Sequence, residues 1–273
     1  MNNYKNLLTS TTLIPLWAKA VESVSDNPIL MDKNAYPLLQ ALGYDLDYYD
    51  KKKQNPSQVG CCLRAKWIDD ETLKYVAANN PCQVIQLGAG LDDRFRRIGM
   101  PANVEHWYDL DLQEVAEMRK EVIPEVERNE IISMDMFDTG WMKRMKANHL
   151  PTLIIIEGVL MFIPGEKIKY LLRSIYENLG NVTVLFDAVP TFAVGRAKYH
   201  DSVKKYNKDV EYVWGVEDSR YVEELFEKVH VSEFVYMSDL PMAHKFVWLL
   251  RLMYKIPYFY RNANQRLIKI EIG

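Results

Sequence analysis

The spacing of hydrophobic and polar positions divides this chain into a helical first part and an alternating second part. Apolar side chains recur every three or four positions between residues 11 and 42, with interruptions at Pro28 and Pro37. Residues 45–56 are polar and lysine-rich, which predicts a solvated turn, and residues 68–79 again show helical spacing. The first 80 residues therefore read as helical.

From residue 82 onward, short apolar runs alternate with helical patterns. The predicted strands are 82–87, 104–110, 131–134, 153–156, 182–186, one that includes 234–236, and a closing strand at 266–272. Helical patterns at 112–124, 142–148 and 165–179 separate four of them. Such alternation predicts an α/β fold with a mostly parallel, seven-stranded sheet and helices on both faces.

The alternation lapses after the fifth strand. Residues 192–213 are rich in Tyr, Lys and Asp and predict an inserted helical segment, and further helices are predicted at 222–228 and 244–254. No internal repeat or low-complexity linker is visible. We expect a single domain over residues 1–273, with a helical cap over 1–80 and a sheet core over 81–273 that carries an insertion at about 190–215.

Composition narrows the function classes. The chain has 273 residues, 48% of them hydrophobic, and 34 basic against 37 acidic residues give a formal charge of −3, so we expect no nucleic-acid partner. Cys61, Cys62 and Cys82 lack CxxC spacing, which indicates reduced thiols and a cytoplasmic location. We expect no membrane partner, since no apolar run reaches spanning length, and no metal, since no histidine has ligand spacing. The sequence leaves the oligomeric state open.

The first predicted strand halts at two nearly adjacent glycines, Gly88 and Gly90. Because glycine has no Cβ, the turn can be tight and a ligand can approach the main chain. Asp109 and Asp111 end the next strand about twenty residues later, the spacing at which a carboxylate reaches ribose hydroxyls. The pattern predicts a nucleotide-like cofactor.

Acidic residues follow the next strand ends as well. Asp135 follows the third predicted strand and Glu157 the fourth, and in open α/β sheets ligands bind at these carboxyl ends. The glycine turn continues with Asp92 and Asp93, which suit a pyrophosphate poorly and argue against NAD. An uncharged nucleoside with a cationic centre fits better, which favours S-adenosylmethionine.

Several motifs in order resemble a known family. They are LGAGLDDR at 87–94, WYDLDL at 107–112 and EGVLMF at 157–162, together with the opening TLIPLWAKAVES at 12–23 and NPIL at 27–30. These resemble the leucine carboxyl methyltransferase superfamily, in particular bacterial members related to the tetracenomycin polyketide O-methyltransferase. The resemblance covers residues 11–187 and implies a class I methyltransferase fold, Rossmann-like, that uses S-adenosylmethionine and releases S-adenosylhomocysteine.

The resemblance also implies roles for individual residues. Arg64 would hold the methionine carboxylate, Gly88 and Gly90 would line the methionyl side, and Asp111 would bind the ribose. Asp135 and Met136 would flank the adenine, and Glu157 would approach the methionine ammonium or the ribose edge. Two alternatives stay open: Arg64 as a surface ion-pair partner, and Asp111 as the N-cap of the helix that follows it.

The acceptor is less well defined by the sequence. Tyr199, His200 and Tyr206 are candidates to orient or deprotonate it, and a packed helix face explains them equally simply. Tyr212 and Trp214 are candidate walls of an acceptor pocket. The expected activity is O-methylation of a carboxylate or hydroxyl of a small molecule, with a polyketide-like compound as one class. Methylation of a protein C-terminus and a non-catalytic cofactor-binding module are the alternatives.

Overall fold

A seven-stranded sheet forms the centre of the computed structural model, which describes residues 2–47, 55–196 and 211–273. Its strands are β1 (Cys82–Leu87), β2 (Val104–Asp111), β3 (Asn129–Ser133), β4 (Thr152–Ile156), β5 (Val182–Ala188), β6 (Val229–Tyr236) and β7 (Arg266–Ile272). Their spatial order is β3-β2-β1-β4-β5-β7-β6, and β7 runs in the direction opposite to the other six strands. The predicted α/β class and mostly parallel sheet are confirmed.

The strand order reverses between β1 and β4, which are hydrogen-bonded neighbours. Successive strands step outward from β1 in one direction to β2 and β3, and from β4 in the other direction to β5. The loops that leave β1 and β4 therefore diverge to opposite faces and leave a crevice between them. In sheets of this kind, that crevice is where a ligand binds.

Ten helices lie in the described part of the chain. They are α1 (Asn2–Ser23), α2 (Ala35–Ala41), α3 (Asn55–Ala78), α4 (Arg94–Arg97), α5 (Gln113–Val122), α6 (Gly140–Ala147), α7 (Gly165–Leu179), α8 (Ser219–Glu223), α9 (Trp248–Met253) and α10 (Pro257–Ala263). Short 3-10 helices lie at Leu160–Phe162, Thr191–Ala193, Met237–Asp239 and Pro241–Lys245.

Two apolar clusters cover the two faces of the sheet. Neighbouring residues of one strand point to opposite faces, so Val84 joins the cluster with α1 and α3, and Ile85 joins the cluster with α6 and α7. The same alternation separates Ile155 from Ile154. Because both faces are covered, β1 and β4 are buried along their whole length, as parallel strands usually are.

Several predicted boundaries needed correction. The helix predicted at 68–79 begins at Asn55, so the polar stretch 45–56 runs into α3. The helix predicted at 244–254 is split: a 3-10 helix ends at Lys245 and α9 begins at Trp248. The helix predicted at 222–228 lies earlier, at Ser219–Glu223. Most of the predicted insertion falls at 197–210, outside the described residues. No described helix is long and apolar enough to cross a membrane.

Candidate functional site

A cavity of about 750 Å³ opens at the carboxyl ends of the strands, over the crevice between β1 and β4. Residues at or just after the carboxyl ends of the first four strands contribute to its wall, among them Gly88, Asp111, Asp135 and Glu157. Arg64 reaches it from α3. The structure thus brings all seven predicted cofactor residues together around one cavity: Arg64, Gly88, Gly90, Asp111, Asp135, Met136 and Glu157.

The glycine turn after β1 depends on backbone conformations that favour glycine. Gly88 and Gly90 have φ angles of +70° and +54°. A Cβ on Gly88 would lie 2.6 Å from Cγ2 of Val159, in the loop after β4. The absence of a side chain at Gly88 therefore lets the β1 and β4 loops approach each other at the floor of the cavity.

The backbone N–H groups of this turn already have partners. Those of Gly88 and Ala89 donate to the carbonyl oxygen of Leu110, at N···O distances of 2.8 and 3.1 Å. The N–H of Gly90 donates to Oδ2 of Asp111 at 2.7 Å. A pyrophosphate would need such N–H groups to be free, so the turn does not suit a dinucleotide.

Asp111 joins the end of β2 to the glycine turn. Its Oδ2 accepts the Gly90 N–H, and its Oδ1 accepts the N–H of Leu112 at 2.8 Å. The N-cap of α5 is Leu112, and no side chain caps that helix, so the structure does not support the capping alternative for Asp111. Burial raises the pKa of Asp111, although the two N–H donors oppose that rise.

Arg64 lies in a buried network of ion pairs beneath the cavity. Its Nε lies 2.9 Å from Oε1 of Glu157, and its Nη1 lies 3.0 Å from Oδ2 of Asp187. The alternative of a surface ion pair is wrong, because Arg64 is buried. Asp187 is held in turn by the N–H of Gly158 at 2.6 Å. These contacts fix the guanidinium plane, and Nη2 lies beside the Gly158 backbone.

Glu157 is shared by two guanidinium groups. Its Oε1 pairs with Arg64, and its Oε2 pairs with Arg94, which is fully buried and also pairs with Asp69 at 2.7 Å. Burial alone would raise the pKa of Glu157, but Arg94 and Arg64 lower it to about 2. Glu157 is therefore ionised at neutral pH.

The model of the family described as leucine carboxyl methyltransferase matches residues 12–176, more than half of the chain. The chain belongs to the leucine carboxyl methyltransferase family. This confirms the resemblance drawn from the sequence motifs, and the matched region contains both glycines, Asp111 and Glu157.

Two curated methyltransferases are similar to this chain over most of its length. The tetracenomycin polyketide synthesis O-methyltransferase of Streptomyces glaucescens is 27% identical over 85% of this chain and 83% of its own. An S-adenosyl-L-methionine-dependent methyltransferase of Gibberella zeae is 24% identical over 88% of this chain and 84% of its own.

A solved structure shows the same fold. Magnesium protoporphyrin IX methyltransferase from Synechocystis, with bound S-adenosylhomocysteine, superposes with a TM-score of 0.53 at 10% identity, over 88% of this chain and 95% of the other. This chain, as a member of the leucine carboxyl methyltransferase family, is therefore an S-adenosylmethionine-dependent methyltransferase with the class I fold.

The residues at the cavity fit S-adenosylmethionine. The N–H groups of Gly88, Ala89 and Gly90 are already bonded, which suits a cofactor without phosphate, and Asp111 presents on the cavity wall a carboxylate that can accept hydrogen bonds from hydroxyl groups. Asp135 is exposed, and its Oδ1 accepts the Phe137 N–H at 3.0 Å, which places it with Met136 on the cavity wall. A volume of about 750 Å³ lies within the range of small-molecule sites.

Apolar and aromatic side chains also line the cavity. Phe162 and Tyr212 both line it, with ring centroids 5.6 Å apart, and the N–H of Val213 donates to the carbonyl of Met161 at 2.9 Å. Tyr212 lies where the sequence placed it. Trp214 does not line the cavity, because it packs in the core against Phe186.

Some predicted residues cannot be located, and some site residues were missed. Tyr199, His200 and Tyr206 lie outside the described residues.

Asp187 was missed although the strand-end rule could have found it, since it follows the predicted fifth strand directly. Ser57 and Cys61 of α3 were missed because that helix was predicted to begin later. Among the described residues, no cluster of His, Cys, Asp or Glu could hold a metal ion.

Proposed function

We propose that this protein transfers the methyl group of S-adenosylmethionine to a carboxylate or hydroxyl oxygen of a small molecule, with polyketide-like compounds as the first class to test. One observation carries the proposal: a single cavity is lined both by acidic residues at strand ends and by apolar and aromatic side chains. The name of the Streptomyces relative, which refers to polyketide synthesis, supports the same class.

Each side of the cofactor would meet a different part of the cavity. Asp111 would accept hydrogen bonds from the ribose, and Asp135 and Met136 would flank the adenine. Arg64, held in place by its two carboxylates, would bind the methionine carboxylate through its guanidinium. Gly88 and Gly90 would leave room for the methionyl chain against the backbone.

Glu157 would contribute in a different way from Asp111. Both of its oxygens already have a guanidinium partner, and its low pKa keeps it charged. It would therefore orient Arg64 and hold negative charge near the methionine ammonium or the ribose edge.

When bound, S-adenosylmethionine supplies an electrophilic methyl group on a sulfonium and leaves S-adenosylhomocysteine after transfer. The chain contributes alignment of the acceptor oxygen, and Phe162, Tyr212 and Val213 would hold the apolar part of the acceptor and exclude water. A carboxylate acceptor is already ionised and needs no base. A hydroxyl acceptor needs a group to take its proton, for which Tyr199, His200 and Tyr206 remain candidates.

The cofactor assignment is tested by thermal shift with three ligands. S-adenosylmethionine and S-adenosylhomocysteine should each stabilise the fold in proportion to the logarithm of their concentration, and NAD should not. Stabilisation by NAD alone would contradict the assignment.

The acceptor is tested by release of S-adenosylhomocysteine. Aromatic polyketide-like acids and phenols are compared with the same compounds whose carboxyl or hydroxyl is already methylated. We expect release only from the free forms. Release with a peptide bearing a free C-terminal carboxylate, and with none of the small molecules, would instead favour the protein C-terminal activity.

A further inference from the structure

The segment between β6 and β7 carries an unusual charge distribution. Residues 240–270 contain six basic residues and no acidic residue, in a chain whose formal net charge is −3. The six are Lys245, Arg251, Lys255, Arg261, Arg266 and Lys269. The net charge of the whole chain averages over this local excess of positive charge.

The same segment exposes large apolar side chains. Trp248 is 71% exposed and Tyr258 is 58% exposed. Four more exposed apolar side chains lie between or beside them: Val247, Leu249, Leu252 and Ile256. A cluster of such residues at the surface of a folded protein usually marks an interaction site. We call these six residues, with Arg251 and Lys255, the α9 surface.

Helical spacing explains why the three exposed apolar side chains of α9 point outward. Trp248 and Leu252 are four residues apart, and Leu249 and Leu252 are three apart, so all three share one face of α9. Leu250 and Tyr254 lie on the other side and pack against the core. The outward face of α9 is therefore apolar although the helix is already anchored.

The cations of the α9 surface have no carboxylate partner among the described residues. The side chain of Arg251 is exposed and donates to the carbonyl of His244, and Lys255 is exposed without an ion pair in the described part of the chain. Lys245, by contrast, is paired with Glu22, and Asp239, just before the segment, accepts the hydroxyl of Tyr260. Arg251 and Lys255 are interspersed along the chain with the exposed apolar side chains, so positive charge lies close to the apolar surface.

We propose that the α9 surface binds an anionic lipid bilayer. An interfacial helix buries an apolar face at the headgroup level, places tryptophan and tyrosine at the boundary, and uses nearby lysine or arginine to attract acidic lipids. A second copy of this chain fits less well, because a two-fold contact would bring the cations of the two copies together.

The segment that carries the α9 surface starts and ends at the same edge of the sheet as the cavity. β6 runs parallel to β5, so it ends, and β7 begins, at the edge of the sheet that carries the cavity. Gln265, directly before β7, lines the cavity. A bound bilayer would therefore lie beside the edge through which an apolar acceptor enters, a consequence that rests on the proposed function.

The test is co-sedimentation of the full chain with lipid vesicles. We expect binding to phosphatidylcholine vesicles that contain about one third phosphatidylglycerol, weaker binding at high salt, and none to phosphatidylcholine alone. The double variant Arg251→Glu/Lys255→Glu should bind about 25-fold more weakly or worse, since each basic group contributes about fivefold. Trp248→Ser should weaken binding about tenfold.

Matched controls come from other helices. Lys143→Glu/Lys146→Glu reverses two exposed charges on α6, and Tyr170→Ser removes an aromatic side chain that is 53% exposed on α7. Both controls should bind vesicles like the wild type. Stabilisation by S-adenosylhomocysteine should be the same in every variant, which shows that each is folded and separates this test from that of the proposed function.

Three results would overturn the proposal. They are no binding of the wild type to the acidic vesicles, equal binding by the Arg251/Lys255 double variant, and a dimer that the Trp248 variant loses while no form binds vesicles. The last result would assign the α9 surface to a second copy of the chain.

Discussion

Asp111 links the cofactor proposal to the local backbone more directly than any other side chain. One carboxylate oxygen accepts the Gly90 N–H and the other accepts the Leu112 N–H. Each oxygen keeps a second lone pair, so the same carboxylate can shape the turn and still accept ribose hydroxyls. The two roles must be separated experimentally, because loss of either weakens cofactor binding.

Replacement Asp111→Ala should weaken S-adenosylhomocysteine binding about 10- to 100-fold, the range expected for loss of charge-assisted hydrogen bonds. Isothermal titration calorimetry measures it. A ligand analogue without ribose hydroxyls should lose affinity for the wild type and show little further loss with the variant. Asp138→Ala is the control, since Asp138 also accepts a glycine N–H, that of Gly140 at 2.8 Å, but does not line the cavity. Equal losses for both ligands would leave Asp111 only its role in the turn.

At the scale of elements, the approach of the β1 and β4 loops depends on Gly88. Replacement Gly88→Ala should cost about 1–2 kcal/mol for the positive φ, and more for the contact of the new Cβ with Val159. Gly43→Ala is the matched control, because Gly43 has a φ of +82° and open space around its Cβ position. Urea denaturation should show a larger loss of unfolding free energy for the Gly88 variant than for the control.

A second substitution identifies the contact. Adding Val159→Ala to Gly88→Ala should recover part of the loss in stability and part of the loss in S-adenosylhomocysteine affinity. If the Gly88 and Gly43 variants are equally destabilised, the close approach of the two loops is not what constrains Gly88.

Elements buried on both sides, or on one regular stripe, could be predicted from the sequence. The bounds predicted for β1, β7 and α7 agree with the structure. Apolar runs and helical periodicity carry that information directly. The four strand-end residues that met around the cavity followed from the same rule, since parallel strands end at one edge.

The first half of α3 could not be predicted in this way. Its inward side includes Gln58 and Arg64, which hydropathy assigns to the surface. They are buried because Glu22, Glu157 and Asp187, all distant in sequence, supply their partners. The local pattern of hydrophobic and polar residues does not indicate ion pairs between residues that are distant in sequence. Arg64 was therefore predicted as a site residue only through the family resemblance.

At the scale of the whole molecule, the ion-pair network joins the N-terminal helices to the sheet. Lys19 of α1 pairs with Asp92 after β1, and Arg97 of α4 pairs with both Asp92 and Asp32. Arg94 continues the network from Asp92 to Glu157. Breaking one partner of such a buried pair is costly because the other charge is left uncompensated.

The network should make the stability of this methyltransferase depend on the ionisation of Glu157. Its pKa is about 2 in the folded protein against 4.5 as the ordinary value. A carboxyl group with a lowered folded pKa stabilises the fold fully above its unfolded pKa, and that contribution is lost as the pH falls toward the folded pKa.

Glu157→Gln should therefore cost about 3–5 kcal/mol at neutral pH. The deficit should begin to shrink below pH 4.5 and continue to shrink toward pH 2. Urea denaturation of the wild type and of Glu157→Gln, down to the lowest pH at which the wild type unfolds cooperatively, measures the difference in their free energies of unfolding. The other titratable groups are common to both proteins, so their contributions cancel in this difference.

The control is Glu130→Gln, which breaks an exposed pair with Arg144 and should cost less than about 1 kcal/mol. A deficit for Glu157→Gln that stays constant below pH 4.5 would show that its cost comes from packing, not from the charge that Arg64 and Arg94 share.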